Sequence, residues 1–565
     1  MAAEERRAQK SERSPPSAPR SSTVAMSYSQ LHLQDEARAR LLAGASTLAN
    51  AVRPTLGPKS KCVLIDKKWG SPLVCNDGVT IAKELKLRDP EENLGARMLR
   101  EAAVKTGDKV GDGTTTSTLL AFGIYSEGLR NLAAGASAVD LKRGLDRAHG
   151  AAVEALRALS RPCATRKERE QIATVSAHND TFIGAMVAEA TERVGAEGVV
   201  SLEEAKGTET ELDVVEGLQF DHGFASPFFI TDSERGEAVL EEPLILIHEK
   251  KVASMNKLVP VLELAVRAGR PLLIVAESIE GDALATLVLN KLRGTFSCAA
   301  AKAPSFGEWR KSAMEDLAIL CGGTFLAEEL GIELDKVTLE HLGSAQRVIL
   351  DKDSTTIIGG AGNKEAIAGR CREIRSRLEQ STAEFEKQKL QERLAKLAGG
   401  VAVVRVGAPS EAELKNKKEA FDDAISATKA AMAEGIVPGG GVALLRLAPA
   451  LEALEARCEG DERTGIAILR RALEVPLRQI AVNSGFDGGV VVDRVRGLAP
   501  GHGFDAARGE YVDLFQAGIV DPTKVVRIAL ENALSVAGTL LLTEATLTTI
   551  EEDSDKRAGD GHGME

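Results

Sequence analysis

The grain of the hydrophobic pattern changes twice along the chain, and this constrains the fold more than any other feature. From about residue 26 to 158, apolar residues recur at helical spacing, as with Leu94, Met98, Leu99 and Ala102, or Leu119, Leu120, Ile124 and Leu129. A second helical block runs from about 434 to 550 through LLRLAPALEALEAR and GIAILRRALEVPLRQIAV. Between the two lie short β-branched runs bounded by Gly, Pro or charge, such as GVVSLEEA, PLILIHEK, PLLIVAES and RVILDKDSTTIIGG, interleaved with helices such as LVPVLELAVRAG. The expected architecture is a helical frame with an α/β unit inserted in its middle. Within that unit, LEQSTAEFEKQKLQERLAKL reads as a solvated amphipathic helix pair.

The 565 residues suffice for three or four domains at ~100 to 200 residues each. A net charge of -12 and an aromatic content of 3% argue against nucleic acid, which needs cations along a backbone and rings on which to stack bases. No apolar run uninterrupted by charge or Gly reaches the ~18 residues expected of a membrane span. The seven cysteines are far apart and form no C-x-x-C, so free thiols in a reducing compartment are expected. Residues 1–25, rich in Arg, Ser and Pro, and the tail 551–565 are expected to be disordered. The acidic Glu4, Glu5 and Glu12 count against a transit peptide. A cytoplasmic protein is expected, or an organelle-matrix one if residues 1–25 are a presequence.

Several chemistries are excluded by motif. There is no G-x-x-x-x-G-K-[ST], H-E-x-x-H or G-x-S-x-G, and Gly359-Gly360-Ala361-Gly362 lacks a dinucleotide fingerprint. The segment Gly111-Asp112-Gly113-Thr114-Thr115-Thr116 differs, because two glycines bracket an acid and three hydroxyls lead into an apolar helix. Free amides at such a helix start bind anions, and Asp112 could hold magnesium against phosphate. An ordinary N-cap has the same residue types. Thr55-Leu56-Gly57-Pro58-Lys59 and Asn76-Asp77-Gly78-Val79-Thr80 read as turns, Asp423 falls in a helix, and Gly439-Gly440-Gly441 is either a ligand-facing helix start or a connector.

Taken together these pieces resemble the group I chaperonins of the GroEL type, from about residue 28 to 550. The resemblance rests on AVRPTLGPKSKCVLID, NDGVTIAKEL, GDGTTTSTLLA, VVEGLQFDHGFASPFFI, KLQERLAKLAGGVAVVRVGA, AISATKAAMAEGIVPGGGVALLR and AGIVDPTKVVRIALENA, in family order. It implies an equatorial ATP-binding domain (26–158 and 434–550), an intermediate hinge domain (159–215 and 402–433) and an apical α/β domain (216–401). ATP phosphates would meet Thr55, Leu56, Gly57, Pro58, Asp112, Gly113, Thr114, Thr115 and Thr116. Asp112 would hold Mg2+, and the backbones of Thr55 and Asn76 would hold K+. Asp423 and Asp77 would orient and activate water. Gly440 and Asp521 would hold the ribose, Ile519 would line the adenine site, and Asp505 and Ala506 lie in the sugar-proximal stretch.

The resemblance further implies an apolar apical rim of Phe224, Phe228, Phe229, Val259, Leu262, Leu284, Val288 and Leu289, although burial in a core would explain the same residues. That rim would take unfolded polypeptides and a small co-chaperonin of the GroES type. Hinges would fall at Gly217 and at Gly399 and Gly400, and seven-membered rings would stack as a double ring. The expected function is an ATP-hydrolysing chaperone that encloses clients beneath a lid. Three departures stand out. Asn76 replaces the usual Lys, Asp505 the usual Asn, and His222 the usual Arg, whose acidic partner is matched by Glu411.

Overall fold

A computed structural model describes residues 27–66, 72–195, 198–205, 207–233, 235–381 and 383–551. The segment 1–25 lies outside the described residues, as does the tail apart from Glu551, which ends a strand.

Three main cores follow the change of grain. The first gathers both ends of the chain. Helices Gln34–Val52, Pro90–Val110, Thr114–Ala133 and Ala138–Leu159 pack with Gly460–Ala472 and Thr523–Leu542 around Leu41, Leu99, Leu120, Ile124, Tyr125, Leu145, Leu469 and Leu530. Helix Pro90–Val110 starts where it does because Asp89 accepts from the amides of Glu91 and Glu92, and Pro90 needs no partner at the first position. Helix Thr523–Leu542 is long and apolar enough to cross a bilayer by length and composition alone. Its apolarity here serves packing, since residues from Thr523 to Leu541 are buried on several faces.

The second core joins helices Thr181–Val194 and Glu411–Glu434 to a three-stranded sheet. Its central strand, Val401–Val406, runs parallel to Val199–Glu204 and antiparallel to Glu211–Val215. The third core, from Leu218 to Leu397, is built on an eight-stranded sheet. In it Cys298–Lys302, Leu272–Ala276 and Leu244–His248 lie parallel, and the sheet continues through antiparallel Gly343–Leu350, Ser354–Gly360 and Gly217–Asp221. Strands Leu244–His248 and Leu272–Ala276 are buried almost throughout, as parallel strands covered on both faces must be. The amphipathic pair is present as helices Lys364–Gln380 and Glu384–Gly399.

The chain passes between cores in pairs of crossings. At the first, Arg161 and Ile436 exchange backbone hydrogen bonds of 3.0 and 2.7 Å. At the second, Gly217 opens the strand after Glu211–Val215, while Gly399 and Gly400 lead from helix Glu384–Gly399 into Val401–Val406. The three glycines expected at hinges all fall at this second crossing.

The frame is not wholly helical. Among the described residues it holds four two-stranded antiparallel pairs, of which Ser27–Leu33 with Ala545–Glu551 joins the two ends of the described chain. That pair escaped the sequence because its polarity is inverted. Leu31, Leu33 and Leu547 are exposed, whereas His32, Thr546 and Thr548 are buried. Buried Glu91 explains the inversion: it accepts from Thr548 Oγ1 at 2.6 Å and lies 3.3 Å from His32 Nε2.

Candidate nucleotide site

A cavity of about 910 Å³ opens where the frame meets helices Arg166–Ser176 and Glu411–Glu434, a size suited to one small ligand. Every residue assigned above to ATP, metal or water activation lines it: Thr55, Leu56, Gly57, Pro58, Asn76, Asp77, Asp112, Gly113, Thr114, Thr115, Thr116, Asp423, Gly440, Asp505, Ala506, Ile519 and Asp521.

One end is a cradle of amides and hydroxyls. Gly113, at φ 78°, stands before helix Thr114–Ala133 with no side chain capping that helix. Asp112 is not the cap. Its carboxylate accepts from Gly113 N at 2.5 Å and from Ser176 Oγ at 2.8 Å. The first-turn amides of this helix therefore face the cavity with the positive end of the helix dipole behind them, an arrangement that attracts anions. The Thr55 and Thr115 hydroxyls, 3.0 Å apart, tie the neighbouring turn to the same helix, and the Asn483 amide braces that turn through the carbonyls of Arg53 and Leu56. Asp77 caps helix Gly78–Glu84, accepting from Val79 N and Thr80 N, while still lining the cavity.

Carboxylates converge on this cradle. Burial pushes the Asp112, Asp423 and Asp521 carboxyls above their ordinary range. Charge on Asp112 and Asp77 raises Asp423 further, and charge on Asp112 raises Asp521, which reaches about 7. Asp423 comes from helix Glu411–Glu434, whose Ser426 side chain occupies the space a Cβ on Gly111 would need, so helix and loop are in close contact. Hard oxygen donors with unfavourable mutual charge suit a divalent cation. No group of three or more candidate metal ligands surrounds a single point among the described residues.

The far end is apolar. Leu56, Ile480, Phe504, Ala506 and Ile519 form a slot that a flat base would fill, with Gly440 at φ 66° beside it. Asp505 spends its carboxylate on a turn, accepting from Ala507 N at 2.9 Å and Arg508 N at 3.2 Å. An Asn carbonyl could do the same, so the departure at this position changes charge more than shape.

Sequence reasoning missed one wall. Helix Arg166–Ser176 presents Lys167, Glu170, Gln171 and Thr174 to the cavity, followed by Ser176, His178 and Asn179. The signal was a polar stripe at i, i+3, i+4 and i+7, which reads equally as a solvated face.

The expected apical rim is divided. Phe228, Val259 and Leu289 are exposed, and Phe224, Leu262, Leu284 and Val288 are half-buried against the third core. Phe229 corrects the expectation: it is fully buried, because the single turn Pro227–Phe229 sends adjacent rings in opposite directions. Exposed Val266 and Leu292 extend the apolar surface of helices Met255–Ala268 and Gly281–Leu292, which carry Val259 and Leu289. His222, at φ 85°, turns its Nδ1 to the Ala303 carbonyl at 2.9 Å and its ring edge to Phe306.

An amide cradle, convergent carboxylates and an apolar slot define a nucleotide-hydrolysing class, joined to an α/β body with exposed apolar helices. The profile of the TCP-1/cpn60 chaperonin family matches residues 48–551. Chaperonin GroEL 5 of Bradyrhizobium diazoefficiens is 60% identical over 532 residues, covering 94% of this chain and 98% of that protein. The chain belongs to the TCP-1/cpn60 chaperonin family and is an ATP-dependent molecular chaperone and ATPase. Its partners are client polypeptides and a GroES-type co-chaperonin, and it works in oligomeric rings.

Proposed function

We propose that ATP lies in the cavity with its phosphates on the amides of Thr114, Thr115 and Thr116 and on the turn Thr55-Leu56-Gly57-Pro58, and its base against Ile519 and Ala506. Gly440 and Asp521 hold the ribose. Water attacks the γ-phosphorus in line, the bond to the bridging oxygen of ADP breaks, and the water's proton passes to Asp423. A carboxylate whose proton affinity is raised by burial suits that task near neutral pH. Asp77 orients the same water. Asp112 is the residue for Mg2+, which neutralises charge on the phosphoryl oxygens when bound, and the carbonyls of Thr55 and Asn76 are donors for K+.

The first core is the equatorial domain, the second the intermediate domain and the third the apical domain. Gly217, Gly399 and Gly400 are the hinges between the last two. Clients bind first to Phe228, Val259 and Leu289, where nondirectional attraction accepts any apolar sequence. Rings are seven-membered and stacked in pairs, and the setting is the cytoplasm, in keeping with seven unbridged cysteines.

The observation that carries the catalytic reading is the uncapped helix start at Gly113 facing the carboxylate of Asp423 across one cavity. Asp423→Ala is expected to lower kcat by about 100-fold or more while nucleotide still binds. Full turnover in that variant would refute the assignment.

A further inference from the structure

Helix Glu411–Glu434 carries two successive aspartates with different destinations. At ~100° per residue, neighbours on a helix face different ways. Asp423 enters the nucleotide cavity, and Asp422 points out to Arg235, with Nη2 to Oδ2 at 2.7 Å. Arg235 belongs to the third core, on the loop before strand Ala238–Glu241, 187 residues away in sequence. The pair thus spans two cores and ends one residue from the group assigned to water activation.

The surroundings give Arg235 a second task. Its own loop contributes Asp232, which accepts from Arg235 N at 3.2 Å, and Glu237. Burial raises the Glu237 and Asp422 carboxyls, Arg235 opposes that rise at both, and charge on Asp422 adds to it at Glu237. Without the guanidinium, acids of the loop and of the helix would face each other with Lys418 still opposing charge on Asp422 but no cation of the loop between them. The same helix is tied to its own sheet one turn earlier, by Lys418 to Glu204 at 2.7 Å. Lys418 and Arg235 together hold the segment that presents Asp423, one tie within the second core and one from outside it.

We infer that Arg235 is a positioning residue for ATP hydrolysis: through Asp422 it holds helix Glu411–Glu434 where Asp423 reaches the nucleotide, so that the orientation of the client-binding core is read directly at the ATP site. The inference rests on the assignment of Asp423 to water activation. The pair is partly exposed, at 30% and 50% for the two side chains, so its effect is modest.

The test compares Arg235→Ala, Arg235→Lys, Asp422→Asn and the Arg235→Ala/Asp422→Asn double variant in assembled rings, with Asp423→Ala alongside. Arg235→Ala and Asp422→Asn are each expected to lower kcat for ATP about two- to fivefold with KM for ATP little changed. The double variant should fall no further than either single one, and Arg235→Lys should restore most of the rate. An inactive Asp423→Ala beside a fully active Arg235→Ala would overturn the positioning role and leave the catalytic reading intact. Losses that multiply in the double variant, or that appear in KM alone, would overturn it equally. Full turnover in Asp423→Ala would instead remove the catalytic reading on which it rests.

Discussion

Asp521 holds its proton at a pH where an aspartate in water has long lost it, and the cause is burial first and the charge of Asp112 second. A carboxyl with a raised folded pKa contributes stability that is present below its unfolded value and lost as pH rises through the folded value, here about 7. Asp521→Asn is therefore expected to stabilise the nucleotide-free protein by on the order of 1 kcal/mol above pH 8, with the advantage shrinking as pH falls below the folded value of about 7 and closing only near the ordinary aspartate value of 3.8. Thermal unfolding of both proteins across that range checks it, and a gap independent of pH would refute the titration argument. At this scale the sequence was a good guide to identity and a poor one to allegiance. All the expected ATP-site residues meet in one cavity, but nothing in the string revealed that Asp77 also caps a helix, that Asp505 is committed to a turn, or that Asp112 turns to Ser176. Those are choices among neighbours brought together by long-range folding.

At the scale of elements, the decisive feature is the helix start at Gly113. Its φ of 78° suits glycine, and a Cβ there would lie 2.7 Å from Val525 Cγ1. Gly113→Ala should cost about 1–2 kcal/mol of stability and should weaken ATP binding about tenfold as the first-turn amides shift. Calorimetric titration with a nonhydrolysable nucleotide measures the second effect, and unchanged affinity would mean that the amides are not the phosphate cradle. Helices with regular apolar spacing were legible, as Pro90–Val110 and Thr114–Ala133 show. The terminal strands were not, because Glu91 makes their buried face polar and leaves leucines outside. The wall contributed by helix Arg166–Ser176 was hidden for the converse reason: a polar stripe lining a cavity carries the same pattern as one facing solvent.

On the scale of the whole molecule, apolar surface divides into what holds the third core together and what it offers outward. Phe228→Ser should weaken suppression of client aggregation, since losing an exposed aromatic side chain forfeits up to ~1.5–3 kcal/mol of client contact. Phe229→Ser should instead destabilise the protein by about 3–5 kcal/mol, read as a lowered thermal midpoint. If the two variants behaved alike, the division between rim and core would fail. The helical frame with its α/β insert was legible from the change of grain, whereas a separate second core was implied only by the family resemblance, and which neighbouring phenylalanine faced outward depended on a single turn.

The nested connectivity also sets an order of events during synthesis. The third core is complete once the ribosome has passed Leu397, whereas the ATP cavity still awaits Asp423, Gly440 and Asp521, and the first core awaits helix Thr523–Leu542. At ~5–20 residues per second, a nascent chain spends several seconds or more with the exposed apolar helices of its third core complete and its ATP cavity unfinished. During that interval it is itself a sticky, passive guest, and its earliest encounters with other unfolded chains cannot be reversed by ATP.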